Sequence, residues 1–124
     1  MLLAVGLSGC INSDGGSQQI TAYDEDDGKT VNLKKNGTLN ITLESNPSTG
    51  YAWVIVGNYS KAVLNEGANG SIPAEQAMPG APGKQYFLLN AVGEGETTIF
   101  LEYKRSWETE PPEKLYSLTV IVEL

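Results

Sequence analysis

Three stretches of this sequence alternate apolar and polar residues with a period of two. They lie at residues 39–44, 97–103 and 115–122. Successive side chains of a β-strand point to opposite faces, so this alternation predicts strands with one face buried. One face of the second stretch comprises Thr97, Ile99, Leu101 and Tyr103. No segment has a convincing helical period of 3.6 residues, and the chain is therefore predicted to be all-β.

A dense turn signal lies between the first strand and the next one, which is predicted at residues 51–56. It reads Asn46-Pro47-Ser48-Thr49-Gly50-Tyr51-Ala52-Trp53. Pro47 restricts its own φ angle, Gly50 can adopt a positive φ, and the short polar side chains can bond to nearby backbone. One interpretation is an ordinary connection between strands. The other is a stiff loop that presents small hydroxyl side chains to a partner, because a rigid loop loses little entropy on binding.

Composition excludes several classes of function. The chain has 124 residues, enough for one packed domain, and a net charge of −7, which disfavours nucleic acid and anionic lipid. It contains no histidine, so histidine-dependent catalysis and histidine-ligated zinc are excluded. Cys10 is the single cysteine, and an intramolecular disulfide is therefore impossible. We expect neither a metal nor a cofactor, and we expect a monomer.

The N-terminus resembles the end of a prokaryotic lipoprotein signal. Leu7-Ser8-Gly9-Cys10 matches a lipobox, in which Cys10 would carry the lipid after cleavage, although no basic segment precedes it. The alternative is a frayed apolar terminus. Residues 11–19 are polar and glycine-rich, which predicts a flexible tether. We therefore expect a signal remnant and tether at 1–19, a folded domain at 20–124, and a location outside the cytoplasm.

The remaining segments complete the predicted sandwich. Further strands are expected at 30–33, 63–64 and 85–91, and long loops at 70–84 and 105–113. Lys34-Lys35-Asn36-Gly37 predicts a hairpin-type turn. The acidic run Asp24-Glu25-Asp26-Asp27 lacks the distal glutamate of an EF-hand and is read as a solvated turn. Together these segments predict an immunoglobulin-like antiparallel β-sandwich of seven to eight strands.

Three of the loops resemble those of the chagasin family, the immunoglobulin-like protein inhibitors of papain-like cysteine peptidases. The first family motif, N-P-x-T-G-[FY]-x-W, is matched at every defined position by residues 46–53. Gly80-Ala81-Pro82-Gly83 approximates the glycine-rich second motif, with proline where glycine is usual. Arg105-Ser106-Trp107 keeps the arginine and tryptophan of the third motif and has serine in place of its proline.

The resemblance implies a function and a set of site residues. The three loops would gather at one end of the sandwich and enter the cleft of a papain-like cysteine peptidase, the first over the catalytic cysteine and the other two against the cleft walls. Inhibition would be reversible, tight-binding and competitive. The residues implied in binding are Asn46, Pro47, Ser48, Thr49, Gly50, Tyr51, Gly80, Ala81, Pro82, Gly83, Arg105, Ser106 and Trp107.

Several of these residues have a structural alternative. Tyr51 can brace the loop or contact the partner, and Arg105 can pair with Glu108 or Glu102 within the chain. Trp107 is expected at the partner interface, because its polar, proline-bearing loop offers no route to the core, whereas Trp53, on a strand, is expected inside. A surface-anchored binding or spacer module is the competing function. An enzyme is the least favoured class, because no nucleophile–base pair can be identified.

Overall fold

In the part of the chain that the structure describes, eight strands form two four-stranded sheets that pack face to face. The structure is a computed structural model that describes residues 18–46, 49–73 and 83–124. The strands are β1 (Gln19–Ala22), β2 (Thr30–Lys34), β3 (Thr38–Ser45), β4 (Ala52–Val56), β5 (Leu64–Ile72), β6 (Gly83–Ala91), β7 (Gly95–Lys104) and β8 (Lys114–Glu123). The first sheet has the order β1-β3-β6-β5 and the second the order β2-β8-β7-β4. The predicted all-β sandwich is confirmed, and helix in the described part of the chain is limited to a 3₁₀ turn at Asp24–Asp26.

Most of the strand pairs are antiparallel, but two edge pairs are parallel. β1 runs parallel to β3, and β2 runs parallel to β8. The prediction of antiparallel pairing is therefore correct for the other four pairs, which are β3–β6, β5–β6, β4–β7 and β7–β8. β1 and β2 lie in opposite sheets, so neither is the hydrogen-bonded partner of the other, and each pairs with a later strand that runs in the same direction.

The core lies between the two sheets and follows the alternation of the sequence. In β7, Ile99, Leu101 and Tyr103 are buried, whereas Phe100 between them is exposed. The fully buried large side chains are Leu33, Leu39, Ile41, Leu43, Leu64, Leu89, Ile99, Leu101, Leu118 and Val120. Burying one such side chain contributes about 1.5–3 kcal/mol, so aliphatic packing between the sheets is the main source of stability.

The Asn36 turn connects two different sheets. Asn36 adopts a φ of 75°, and the N–H of Gly37 donates to the carbonyl oxygen of Lys34 at 2.8 Å. The tight turn is thus present, but the expectation of a hairpin is wrong, because β2 and β3 belong to opposite sheets. A local turn motif sets the direction of the chain and does not decide which strand becomes the hydrogen-bonded partner.

β5 and β6 are longer than the sequence indicated. The prediction placed a short strand at 63–64 and a loop at 70–84, whereas β5 runs to Ile72 and β6 starts at Gly83. β5 is an edge strand whose exposed residues are mostly polar or glycine, and its register shifts between Glu66 and Asn69. Edge strands often carry such bulges and polar residues, which remove the alternation on which the prediction depended.

The acidic run ties the two sheets together along one side. The carboxylate of Asp24 accepts from the N–H of Glu44 in β3 at 3.2 Å, and Asp27 Oδ1 accepts from the N–H of Ser117 in β8 at 2.9 Å. The carboxylates are therefore hydrogen-bonded to backbone as well as solvated. Within the described residues, no group of three or more His, Cys, Asp or Glu side chains could hold a metal ion.

The folded part of the chain begins slightly earlier than expected. Gln19, the last residue of the predicted tether, is the first residue of β1. The carbonyl oxygen of Gln18 accepts from Thr38 N–H at 2.8 Å, and its side-chain Oε1 accepts from Lys34 N–H at 2.7 Å. Cys10 and the rest of the predicted signal and tether lie outside the described residues. Across the ranges that the structure describes, no helix has the length and apolar character needed to span a membrane.

Candidate functional site

Strand register brings the three motif-bearing segments to the same end of the sandwich. Ser45, at the end of β3, pairs with Gly83, at the start of β6. Ala52, at the start of β4, pairs with Lys104, at the end of β7. The connections at 46–51, 73–82 and 105–113 therefore all leave from this end, which we call the loop end. The 46–51 connection (the first loop) and the 105–113 connection (the third loop) are in direct contact.

The first loop is closed by its own hydrogen bonds. The Thr49 hydroxyl donates to the carbonyl oxygen of Asn46 at 2.8 Å, and the N–H of Thr49 donates to the same oxygen at 3.2 Å. The N–H of Tyr51 donates to Thr49 Oγ1 at 3.3 Å. Gly50 has a φ of +83°, as the turn chemistry predicted. These contacts join the described residues on the two sides of the loop, and Thr49 itself is exposed.

Arg105 attaches the third loop to the first. Its Nε–H donates to the carbonyl oxygen of Thr49 at 3.0 Å. Its Nη1 forms an ion pair with Glu108 Oε2 at 3.0 Å, which bears out one of the two intramolecular partners considered for Arg105. The guanidinium carbon also lies 4.4 Å from the centroid of the Tyr51 ring, a cation–π distance. The arginine thus uses its charge, its planar face and two of its N–H groups within the chain.

Trp107 is exposed and lies against Gly50. Its side chain is 69% exposed, which excludes the core as its location. A methyl group built on Gly50 would lie only 2.5 Å from Cη2 of Trp107, so the indole ring occupies the space left by the missing side chain. An exposed indole supported from below is typical of an interface residue.

A column of aromatic rings connects the loop end with the core. The Tyr51 ring stacks on Tyr103 with centroids 5.3 Å apart, and Trp53 packs on the same tyrosine at 5.0 Å. The N–H of Asn46 donates to the Tyr103 hydroxyl at 3.0 Å. A hydrogen bond to Glu113 raises the pKa of Tyr51 above its ordinary value, with a smaller contribution from burial. Tyr51 therefore braces the first loop, one of the two roles considered for it.

Trp53 is a core residue, as predicted. It is only 5% exposed, and its indole N–H donates to the carbonyl oxygen of Glu44 at 3.0 Å. The side chain of Gln85 bonds to both backbone groups of Trp53: Oε1 accepts from its N–H at 2.8 Å, and Nε2 donates to its carbonyl oxygen at 3.3 Å. The Gln85 amide therefore hydrogen-bonds to β4 on the side that faces away from β7, near the point where the first loop ends.

The remaining residues implied in binding fall into three groups. Ser106 is exposed between Arg105 and Trp107. Gly83 is buried inside β6, opposite Ser45, and so lies in the sheet instead of in the exposed loop where the motif had placed it. Pro47, Ser48, Gly80, Ala81 and Pro82 lie outside the described residues.

Sequence reasoning missed Tyr103, Gln85 and Glu113 as parts of the site. Tyr103 was assigned to a strand face, which is correct, but alternation alone does not reveal that its hydroxyl reaches the first loop. The contacts of Gln85 and Glu113 depend on strand register between segments that are far apart in sequence. A detectable signal was the position of Tyr103 two residues before the Arg105 motif, which places an inward-facing hydroxyl at the mouth of the sandwich.

Comparison with known proteins identifies the family. The model described as "Chagasin family peptidase inhibitor I42" matches residues 32–120, most of the chain. This chain belongs to the chagasin family. Members of this family are peptidase inhibitors, so the protein is not an enzyme, and the resemblance carried by the three motifs is confirmed.

Individual relatives agree with this assignment. The inhibitor is 35% identical over 99 residues to Amoebiasin-2 of Entamoeba histolytica, covering 80% of each chain. It is 31% identical over 84 residues to Chagasin of Trypanosoma cruzi, covering 64% of this chain and 76% of that protein. Its fold superposes on the crystal structure of the cysteine protease inhibitor EhICP2 from Entamoeba histolytica with a TM-score of 0.77 and 28% identity, covering 86% of this chain and 97% of the other.

Proposed function

We propose that this protein is a reversible, tight-binding competitive inhibitor of papain-like cysteine peptidases. It would insert the loop end of the sandwich into the open active-site cleft. The observation that carries the proposal is that two features occur at the same end of the sandwich. Trp107 is exposed there and lies against Gly50, and a hydrogen bond from Thr49 to Asn46 links the two sides of the first loop. Membership of the chagasin family and the likeness to the cysteine protease inhibitor EhICP2 support the class of target.

The first loop is suited to occupy the cleft without being cleaved. The carbonyl oxygen of Asn46 accepts from the Thr49 hydroxyl, and the carbonyl oxygen of Thr49 accepts from Arg105 Nε–H, so the backbone is held at these two positions. A held backbone cannot extend along the cleft as a substrate does, and it loses little entropy on binding. The loop would therefore block the catalytic cysteine without aligning a peptide bond for attack.

Trp107 would supply the largest apolar contact. Buried tryptophans are frequent hot spots, and a total interface of about 1,600 Å² is usual for protease–inhibitor complexes. Arg105 and Ser106 directly precede Trp107 in the third loop. Residues 80–82 of the second motif would grip the opposite wall of the cleft, as the family resemblance implies.

The competing proposal is a binding or spacer module without inhibitory activity. A spacer needs no large exposed indole and no cross-linked loops. Both features occur at the same end of this molecule, which favours the inhibitor.

Titration of papain with the full chain tests the proposal. At nanomolar concentrations, we expect papain activity to fall in proportion to the inhibitor added and to be lost at about one equivalent. The apparent KM should increase while the maximal rate stays unchanged. Intact inhibitor should be recovered after dilution of the complex. Papain whose catalytic cysteine has been alkylated with a small reagent should still bind, because no covalent bond is required. Absence of inhibition of papain and of related endopeptidases at micromolar concentrations would favour the spacer.

We also propose that the inhibitor acts outside the cytoplasm, held to a membrane by a lipid on Cys10. The proposal rests on the lipobox-like Leu7-Ser8-Gly9-Cys10 and on the polar residues that follow it. A tethered inhibitor would be concentrated where secreted or invading peptidases are encountered.

A further inference from the structure

We propose that Arg105 and Tyr103 are positioning residues that join the first and third loops into a single preorganised wedge. Their effect on inhibition would come from the conformation of the free inhibitor, and neither side chain would need to touch the peptidase. The inference deepens the proposed function and rests on it for its kinetic measurement. The family resemblance implied that Arg105 contacts the peptidase, whereas this inference gives Arg105 a role within the inhibitor.

The interactions of Arg105 are largely satisfied within the chain. Its Nε–H donates to Thr49, its Nη1 pairs with Glu108, and its planar face lies over Tyr51. A guanidinium group with a hydrogen bond, an ion pair and a ring contact in fixed geometry is well suited to holding two segments together. To use the same donors on a peptidase, the side chain would first have to break these contacts.

Tyr103 holds the first loop from below. Its hydroxyl accepts from the N–H of Asn46, at the start of the loop, and its ring stacks on Tyr51, at the end of the loop. Tyr103 itself is 5% exposed and packs on Trp53 in the core. Both ends of the first loop are thereby anchored to one buried residue of β7.

The position of Trp107 depends on the same assembly. The indole ring fits against Gly50, so a displacement of the first loop removes the surface on which the ring lies. Arg105, two residues earlier, links the backbone at Thr49 to the third loop. Loss of the Arg105 contacts should therefore release Thr49 and Trp107 together.

This coupling predicts a specific kinetic signature. When only a fraction of the free inhibitor is competent to bind, the apparent dissociation constant rises by the inverse of that fraction. Loss of one hydrogen bond and one cation–π contact reduces the competent fraction by about tenfold. If the competent state is selected before binding, the association rate falls by that factor, whereas the dissociation rate changes little because the complex keeps its contacts. Loss of a true interface contact acts mainly on dissociation.

Arg105→Lys is the decisive variant, because it keeps the charge and removes the planar fork. Lys104→Arg makes the opposite exchange one residue away, where the lysine pairs with Glu102, and it serves as the matched control. Tyr103→Phe keeps the ring and removes only the hydroxyl that Asn46 contacts. Association and dissociation rates are measured by stopped-flow inhibition of papain, and melting temperatures show that each variant is folded.

We expect Arg105→Lys to associate about tenfold more slowly and Tyr103→Phe, which loses one hydrogen bond and no ring contact, about threefold to tenfold more slowly. Both variants should dissociate within about twofold of wild type and melt within a few degrees of it. Lys104→Arg should match wild type in both rates. In the free proteins, amide hydrogen exchange at Thr49 and Gly50 and NMR relaxation of the Trp107 indole should show increased motion in the two variants only. Unchanged loop motion, or slower binding that arises wholly from faster dissociation, would overturn the inference. If wild type fails to inhibit papain, the proposed function fails for that target. The motion of the first and third loops in the free proteins still decides whether Arg105 and Tyr103 position those loops.

Discussion

At the scale of single residues, the two tryptophans show how position determines role. Trp53 is 5% exposed and its indole N–H is bonded to Glu44, whereas Trp107 is 69% exposed and lies on a glycine. The first packs in the core beside the loop end and supports it. The second presents its apolar surface to solvent at the tip of the third loop, so its removal should affect binding and spare the fold.

Trp107→Ala should weaken inhibition by about 2–4 kcal/mol, or roughly 30- to 1,000-fold in the inhibition constant. The melting temperature should change little, because the indole is exposed. Leu124→Ala is a suitable control, since Leu124 is 75% exposed and follows β8 at the end of the sandwich opposite the loop end. If Trp107→Ala melts many degrees lower and still inhibits as well as wild type, Trp107 stabilises the fold and does not contribute to binding.

Gly50→Ala should reduce both stability and affinity. The residue has a φ of +83°, where an L side chain is strained by about 1–2 kcal/mol, and the added methyl group would displace Trp107. Gly28 has the same φ of +83° with no atom within 4 Å of a built Cβ, so Gly28→Ala carries the strain without the collision. We expect the two variants to lose the same amount of stability, and only Gly50→Ala to lose affinity for papain. Equal affinities, measured by papain titration, would show that the contact of Gly50 with Trp107 is unimportant for binding.

At the scale of elements, the site depends on how β4 is held at its free edge. Among the described residues β4 is an edge strand that pairs with β7, so Trp53 has backbone groups that face away from the sheet. Gln85 of β6, in the opposite sheet, satisfies both of them. A single amide thus joins the two sheets near the start of β4, where the first loop ends.

Gln85→Ala should lower the free energy of unfolding by about 1–2 kcal/mol, because it removes two hydrogen bonds and leaves partly buried backbone groups without that partner. Urea denaturation monitored by Trp53 fluorescence measures the effect. Asn90→Ala is the control, since Asn90 lies on the same strand and its side chain makes an exposed contact with Asn65 at 3.4 Å. A loss of stability no larger than that of the control would argue against a structural role for the Gln85 bridge.

The elements that could be predicted from sequence are those with one buried and one exposed face. β3, β7 and β8 were found because inner residues such as Ile99 and Leu101 alternate with outer ones. β1 and most of β5 were missed, because they are edge strands whose polar or glycine residues carry no such period. The partners of β2 could not be predicted either, because the Asn36 turn has the same local sequence whether it joins strands in one sheet or in two.

The candidate site divides in a similar way. Thr49, Gly50 and Trp107 lie in short motifs and could be named from sequence. Tyr103, Gln85 and Glu113 act through contacts across strands, and such contacts depend on register, which no local pattern specifies. Motifs therefore located the loops, whereas the residues that hold the loops in place required the structure.

At the scale of the whole molecule, the loop end is separate from the edge at which β1 joins the sandwich. The first and third loops extend from one end of the sandwich, whereas β1 enters along the edge of the first sheet. An anchor attached before β1 would leave the loop end free of that attachment point.

Cys10→Ala should abolish membrane association if the lipobox is functional. Fractionation of the native host, with detergent extraction of the membrane pellet, measures the distribution of the protein. Ser8→Ala is a control that keeps the small residues before Cys10 and should leave the distribution unchanged. Equal recovery of Cys10→Ala and wild type in the membrane fraction would exclude lipidation at this cysteine.

Alkaline pH should destabilise the sandwich through two tyrosines in different parts of the fold. Burial raises the pKa of Tyr59, and a hydrogen bond to Glu66 raises it further. Burial also raises the pKa of Tyr116, with added repulsion from Asp26, Asp27, Asp24 and Glu25. Because the folded pKa values lie above the unfolded value of 10.0, the folded state retains the phenolic protons longer than the unfolded state does.

The stability that depends on these protons is fully present below pH 10 and is lost as the pH rises toward the folded pKa values. The slope can reach about 1.4 kcal/mol per pH unit for each tyrosine. Urea midpoints measured between pH 8 and pH 11.5 should be constant at first and then fall. Tyr116→Phe should be less stable at pH 8, since the bond to the carbonyl oxygen of Tyr23 is lost, yet it should show a shallower decline above pH 10. Tyr23→Phe is the matched control, because the ring of Tyr23 is exposed, and its decline should follow that of wild type. An identical decline in Tyr116→Phe and wild type would show that ionisation of other groups controls alkaline unfolding.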